Sequence, residues 1–246
     1  MKKLHAVTEA EAIGEFLKNE FHESEYNHDR DLYESYVLKA DFSNAHENAV
    51  RRALLFRRRG HMWRELPPDT RWWQVEIEPS DLKNVHVFPR AQWSKISNGS
   101  YSIGDVVDRI RQRRYKDGGN KVIAKIQQVR YRLQTESYVP STVLLIGLDE
   151  SGPLTILEGN HRFAAAMLVS PLTASTHFTV LCGFSPRMKE CCWYRTNLRN
   201  LWRYACNRLF HLHDREADVG KLMPKKTVKP GLADALAAKN LGGPQS

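Results

Sequence analysis

The chain predicts an α/β (α+β) protein in which a small mixed sheet carries flanking helices, with helical additions at its N- and C-terminal ends. Three observations support this. Four short apolar or β-branched runs, at 72–77, 143–148, 154–157 and 178–184, have the length and composition of strands. Segments of helical periodicity lie between and around them. One run, Leu154 to Leu168, passes from strand to glycine turn to helix without interruption.

Composition bounds the reading. Of 246 residues 41% are apolar, enough for a real core. No stretch approaches 18 uninterrupted apolar residues, so no membrane span is expected. The opening Met1-Lys2-Lys3 turns acidic at Glu9, Glu11 and Glu15 with no apolar leader core, so export is not expected. Four cysteines are too few for a disulfide framework in a chain this long, and a cytoplasmic setting fits them. The net charge of +9 is unevenly spread: residues 1–50 carry 5 basic and 11 acidic side chains, the remainder 32 and 17. A basic body attracts phosphate-bearing partners, from nucleotides to nucleic acid.

The elements follow in order. Thr8 with Glu11 three residues on forms a capping-box pattern, and Ala12, Ile13, Phe16, Leu17 and Phe21 recur at helical spacing over 8–22. A second helix is expected over 44–59, stopping at Gly60, with a break at Pro67-Pro68. Residues 72–77 read as a strand turned by Pro79-Ser80-Asp81-Leu82, and Val85 to Phe88 as extended chain ending at Pro89. Helices are expected at 102–114 and 120–133, separated by Gly118-Gly119. The apolar run at 143–148 reads as a buried strand, turned by Asp149–Gly152 into 154–157. The motif helix covers about 160–169, and a last strand 178–184. A helix at 196–212 should face inward with Leu198, Leu201, Trp202, Ala205, Leu209 and Leu212. From Asp214 the composition is that of a weakly ordered tail. These elements divide the chain into an N-terminal helical segment (1–68), a core (69–190), a C-terminal helix packed on it (191–213) and the tail (214–246).

The informative segment is Leu154-Thr155-Ile156-Leu157-Glu158-Gly159-Asn160-His161-Arg162-Phe163. A buried strand ends at Glu158, Gly159 permits a sharp turn and close ligand approach, and Asn160 is a suitable N-cap. The first-turn N–H groups, with His161 and Arg162, then form a binding site for phosphate oxygens. Beside such a site Glu158 suits a bridging Mg²⁺ or a proton-transfer role. With Arg162 nearby, Glu158 is expected to be ionised at neutral pH. The plain alternative is a capped helix with an exposed basic pair.

This run resembles the signature of the ParB/sulfiredoxin superfamily, in which a Gly-x-His-Arg turn binds nucleotide phosphates, and the wider order of elements over about 72–184 is similar. The resemblance implies a ParB/sulfiredoxin-like sheet. Sulfiredoxins carry a reactive cysteine where this chain has Asn160, and the arginine-rich motif and helix-turn-helix of partition proteins are not evident. The motif is nearest to free-serine kinases of this fold, with Glu158 in place of the usual Asp. By that resemblance an acidic residue near the first strand acts as base, with Glu76, Glu78 and Asp81 the candidates and Glu76 preferred.

Other clusters are weaker. Arg51, Arg52, Arg57, Arg58, Arg59 and Arg64, and nine Lys/Arg between Arg109 and Arg132, could contact a nucleic acid backbone or be solvated helix faces. Cys191, Cys192, Cys206, His211 and His213 lack metal-ligand spacing. Arg90, Trp193, Tyr194 and Asn197 are expected acceptor contacts, although Trp193 and Tyr194 could equally pack the core and Asn197 cap a helix.

The resulting expectation is a nucleotide-dependent phosphotransferase acting on a small hydroxyl-bearing molecule. Gly159, Asn160, His161 and Arg162 would bind the phosphates of ATP or ADP, Glu158 and His161 would serve catalysis, and Glu158 would hold Mg²⁺. The alternatives are a nucleic-acid-binding or nuclease-like module, with only weak nucleic acid contact expected, and a nucleotide-sensing regulator without turnover.

Overall fold

The computed structural model describes residues 1–112, 121–135, 141–211 and 218–222. Six strands form one mixed sheet: β1 (Lys2–Val7), β2 (Arg71–Glu76), β3 (Val85–His86), β4 (Ser141–Gly147), β5 (Leu154–Glu158) and β6 (Phe178–Phe184), in the order β1-β2-β6-β4-β5-β3. The β4–β5 hairpin is antiparallel, with Leu145 opposite Ile156. β6 lies parallel to β4, Val180 against Val143, and antiparallel to β2, Cys182 against Trp73. β3 pairs parallel with β5 through Val85 and Leu154. Central β4 is buried from Thr142 to Gly147, as its unbroken apolar run requires.

Nine α-helices are present among the described residues: α1 (Glu9–Glu20), α2 (Asn27–Leu38), α3 (Ala45–Trp63), α4 (Ala91–Ser97), α5 (Ile103–Arg111), α6 (Lys121–Thr135), α7 (Asn160–Val169), α8 (Pro171–Thr176) and α9 (Leu198–Phe210). The capping box at Thr8 and Glu11 is formed, and α7 and β6 have the bounds their patterns indicate. Strand β1 and helices α2, α4 and α8 have no counterpart in the expected elements. β1 is an edge strand whose lysines and His5 hide any alternation, which also discourages edge-to-edge pairing. Gly60 does not stop α3, which continues to Trp63; the Trp63 indole stacks on Trp72 at 5.6 Å and donates to Glu9 Oε1 at 2.8 Å. Those contacts outweigh the small helix penalty of one glycine.

Part of the charge asymmetry is paired within the molecule. Arg52 pairs with Glu9, Arg57 with Asp29, and Arg59 with Glu20 and Glu25, so the acidic N-terminal helices neutralise arginines of α3. Arg51 is fully buried; its guanidinium donates to the carbonyls of Tyr36 (2.7 Å) and Asp41 (2.8 Å) and pairs with Glu47 at 3.1 Å. These side chains tie helices together and are not an open basic face. The segment 1–68 likewise supplies β1 to the common sheet.

The last helix corrects a second expectation. Its apolar face looks outward: Leu198 is 87% exposed, Trp202 73% and Phe210 84%, and Leu201, Ala205 and Leu209 are exposed too. The inward side carries Tyr204, packed on Trp193 at 4.9 Å, and two asparagines. Asn200 donates to the carbonyls of Lys189 and Arg195, and Asn207 to Glu65. Of the expected tail, residues 218–222 pack on α3 with Val219 buried. The expected helix ends at 112–114 and 120, the Gly118-Gly119 break, Leu212, His213 and the tail at 214–217 and from 223 fall partly or wholly outside the described residues.

Candidate functional site

Strand β5 ends at Glu158, and the chain then turns through Gly159 at φ +99° into α7. A side chain at Gly159 would be strained by that φ, and its Cβ would meet Val143 Cγ2 at 3.0 Å. Gly159 is itself the N-cap residue, and no side chain caps the helix. Asn160 is therefore not the cap. Its Oδ1 accepts from the Phe88 N–H at 2.8 Å and its Nδ2 donates to the Ile156 carbonyl at 3.2 Å, fastening the stretch after β3 to the start of α7. The backbone ladder of α7 begins at Phe163 N–H to Gly159 O, so the amides before it keep the open character of a helix start.

This turn lines a cleft of about 930 Å³ bounded by the end of α1, by α4, α6 and α7, and by the segment after β3. Within it Glu158 and Arg162 form an ion pair at 2.5 Å. Asn19 of α1 donates to Glu158 Oε2 and to the Thr142 carbonyl, both at 2.8 Å, and accepts from Arg162 Nη1 at 2.8 Å. Arg162 Nη2 also donates to the Thr142 carbonyl at 3.0 Å. Both terminal nitrogens of Arg162 thus hold protein acceptors.

Burial decides the titration of this group. It pushes the Glu158 carboxyl up to about 7, with Arg162 pulling it back down and Glu20 pushing it further up. The expectation that charge would prevail over burial is not met: burial outweighs Arg162, and the carboxyl titrates above its ordinary range. His161 is likewise desolvated, its pKa pushed down to about 4, so at neutral pH it brings an N–H and no charge. Its ring meets Trp93 of α4 at 5.3 Å.

Glu158, Gly159, Asn160, His161, Arg162 and Arg90 all line the cleft. Glu76 does not. It is exposed on β2 opposite Lys2, and β6 and β4 stand between its strand and β5. Glu78 is exposed as well, and Asp81 pairs with the N-terminal amine at 2.7 Å. Trp193 is buried behind the cleft wall, stacked on Phe88 at 4.9 Å and donating to the Met62 carbonyl. The Tyr194 hydroxyl donates to the Pro153 carbonyl, and Asn197 caps α9 through the Asn200 N–H. These three pack and cap, and none lines the cleft.

Sequence reasoning missed Asn19, Glu20, Arg59, Trp93 and Lys125, which do line it. A signal existed for two of them. Asn19 and Glu20 lie three and four residues after Phe16, so they continue the apolar stripe of α1 as polar residues that face inward. Arg59 binds Glu20, and Lys125 reaches Glu23 across the cleft at 3.0 Å.

Among the described residues no cluster of three or more His, Cys, Asp and Glu side chains could hold a metal ion. Glu158 would offer Mg²⁺ one carboxylate, the pattern of sites where phosphates and water supply the other ligands. The cleft can therefore bind an oxyanion at a helix start and place a carboxyl of near-neutral pKa beside it. Searches of family models, curated proteins and solved structures find no match to this chain.

Proposed function

We propose that the cleft binds a nucleotide and that the protein is a phosphotransferase acting on a small hydroxyl-bearing acceptor. The observation that carries this reading is the coincidence, in one cleft of about 930 Å³, of the open first turn of α7 with a buried carboxyl whose pKa lies at about 7. The amides at the start of α7 receive phosphate oxygens along the helix dipole. His161, neutral, adds an N–H. Glu158 in its ionised form accepts the proton of the acceptor hydroxyl as that oxygen forms its bond to the terminal phosphorus, and the bond to the nucleotide leaving group breaks. Mg²⁺ held by Glu158 and the phosphates would supply charge neutralisation.

A group with pKa near the working pH divides its population between base and acid, which suits proton transfer. Asn19 and Arg162 fix the orientation of this carboxyl, so little reorganisation accompanies the step. The test is a thermal-shift panel of nucleotides with and without Mg²⁺, followed by detection of nucleotide consumption with hydroxyl-bearing acceptors. A nucleotide that raises Tm and is consumed supports the reading. Binding without consumption supports a nucleotide sensor, and absence of any shift at millimolar nucleotide defeats both.

A further inference from the structure

The cations that line the cleft are not equivalent. Arg162 holds Glu158, Asn19 and the Thr142 carbonyl. Arg59 is bound by Glu20 and Glu25, Lys125 by Glu23, and Lys18 by Glu15. Arg132 has a partner of its own. Arg90 differs. Its guanidinium lies 5.0 Å from the Phe88 ring centroid and 6.0 Å from that of Trp193, and among the described residues no carboxylate or carbonyl receives it.

Its position is set from two sides. Two residues before it, the Phe88 N–H is bonded to the Asn160 side chain at the start of α7. Three residues after it, Trp93 meets His161 at 5.3 Å. A tight turn, Arg90 N–H to Phe88 O at 2.7 Å, joins these points, and Arg90 lines the same cleft as the first turn of α7. The aromatic faces hold the guanidinium by cation–π attraction and leave its N–H edges to acceptors, the arrangement that favours a bidentate oxyanion.

We infer that Arg90, and not Arg162, is the side chain that captures the phosphate of the ligand, together with the amides at the start of α7. This inference deepens the nucleotide reading and rests on it for the identity of the ligand. It reassigns the two arginines: Arg162 is a positioning residue for Glu158, while Arg90 contacts the anion. The Arg90 capture needs no internal ion pair to be broken, whereas three of the five Arg162 donors are already taken by Glu158, Asn19 and the Thr142 carbonyl.

The experiment is calorimetric titration of wild type, Arg90→Ala and Arg162→Lys with two probes, ATP and inorganic pyrophosphate, alongside thermal melts. Arg90→Ala should weaken both probes at least about tenfold, the loss of one charge-assisted bidentate contact. Its Tm should stay within about 2 °C of wild type, as for an exposed side chain. Arg162→Lys should lower Tm and weaken the probes by less than Arg90→Ala does. Wild-type affinity in Arg90→Ala overturns the inference, as does a wild type that binds neither probe. If ATP fails while pyrophosphate binds and depends on Arg90, the nucleotide reading falls and the assignment of Arg90 stands.

Discussion

Glu158 and Arg162, four residues apart across the strand–helix junction, meet at 2.5 Å, and a single side chain from another element, Asn19, bonds both at 2.8 Å. The turn that the sequence marks as an anion site is therefore also a small internal network. Its energetics differ from those of an exposed basic pair, because breaking one member leaves the others desolvated and unpaired.

Arg162→Ala should cost stability before it costs binding. The pair is mostly buried, with 22% and 15% of the two side chains exposed. Removing the guanidinium leaves Asn19 Oδ1 and the Thr142 carbonyl without its donors and pushes the Glu158 carboxyl further toward its protonated form, a loss of order 1–3 kcal/mol. Urea unfolding would measure it. A variant as stable as wild type would show that the network contributes nothing.

The pH dependence of stability separates Glu158 from His161. The folded pKa of Glu158, about 7, lies above its ordinary 4.5, so between these values the native state holds the extra proton. Its contribution is complete below about 4.5 and is lost as pH rises through 7, at up to about 1.4 kcal/mol per pH unit. His161, lowered from 6.5 to about 4, acts in the opposite sense: the unfolded chain holds the extra proton, so its contribution grows as pH rises from 4 to 6.5. The two slopes oppose each other between 4.5 and 6.5. Glu158→Gln should therefore gain stability relative to wild type as pH rises from 5 to 7.5. Parallel stability curves for the two proteins would refute the raised pKa.

Glu158→Gln should also abolish phosphoryl transfer, since it retains the shape and loses the base. Nucleotide binding without metal should survive. Turnover near the wild-type rate, under saturating nucleotide and Mg²⁺, would leave Glu158 a purely structural residue.

Gly159→Ala should destabilise the protein by about 1–3 kcal/mol, combining a strained positive φ with contact on Val143. Asn at the same position should cost less in backbone terms, because it tolerates the left-handed region better, though its Cβ meets the same neighbour. Equal stability of Ala, Asn and wild type in thermal melts would contradict the turn geometry.

Two tryptophans test the orientation of the C-terminal helix. Trp193, buried and stacked on Phe88, should cost about 3–5 kcal/mol on truncation to Ala. Trp202, 73% exposed, should tolerate Gln within about 0.5 kcal/mol. A large loss at Trp202 in chemical denaturation would mean that the apolar face of α9 is covered.

What the sequence determined by itself was local. The strand–glycine–helix unit at 154–169, the capping box of α1 and the hairpin between β4 and β5 follow from short-range causes: a φ that suits glycine, an N-cap side chain, a turn between two apolar runs. The tertiary structure decided everything that depends on which elements meet. Periodicity located α9 but could not show that the side bearing Asn200, Tyr204 and Asn207 is the one that packs. Charge counts could not show that Glu9, Glu20, Glu25 and Asp29 lie against the arginines of α3. Nor could the motif reveal that Asn19, 139 residues before Glu158, completes its network. The protonation of Glu158 is of the same kind. Arg162 is a neighbour in sequence, but the desolvation that outweighs it is supplied by the elements packed around the strand end, α1 among them.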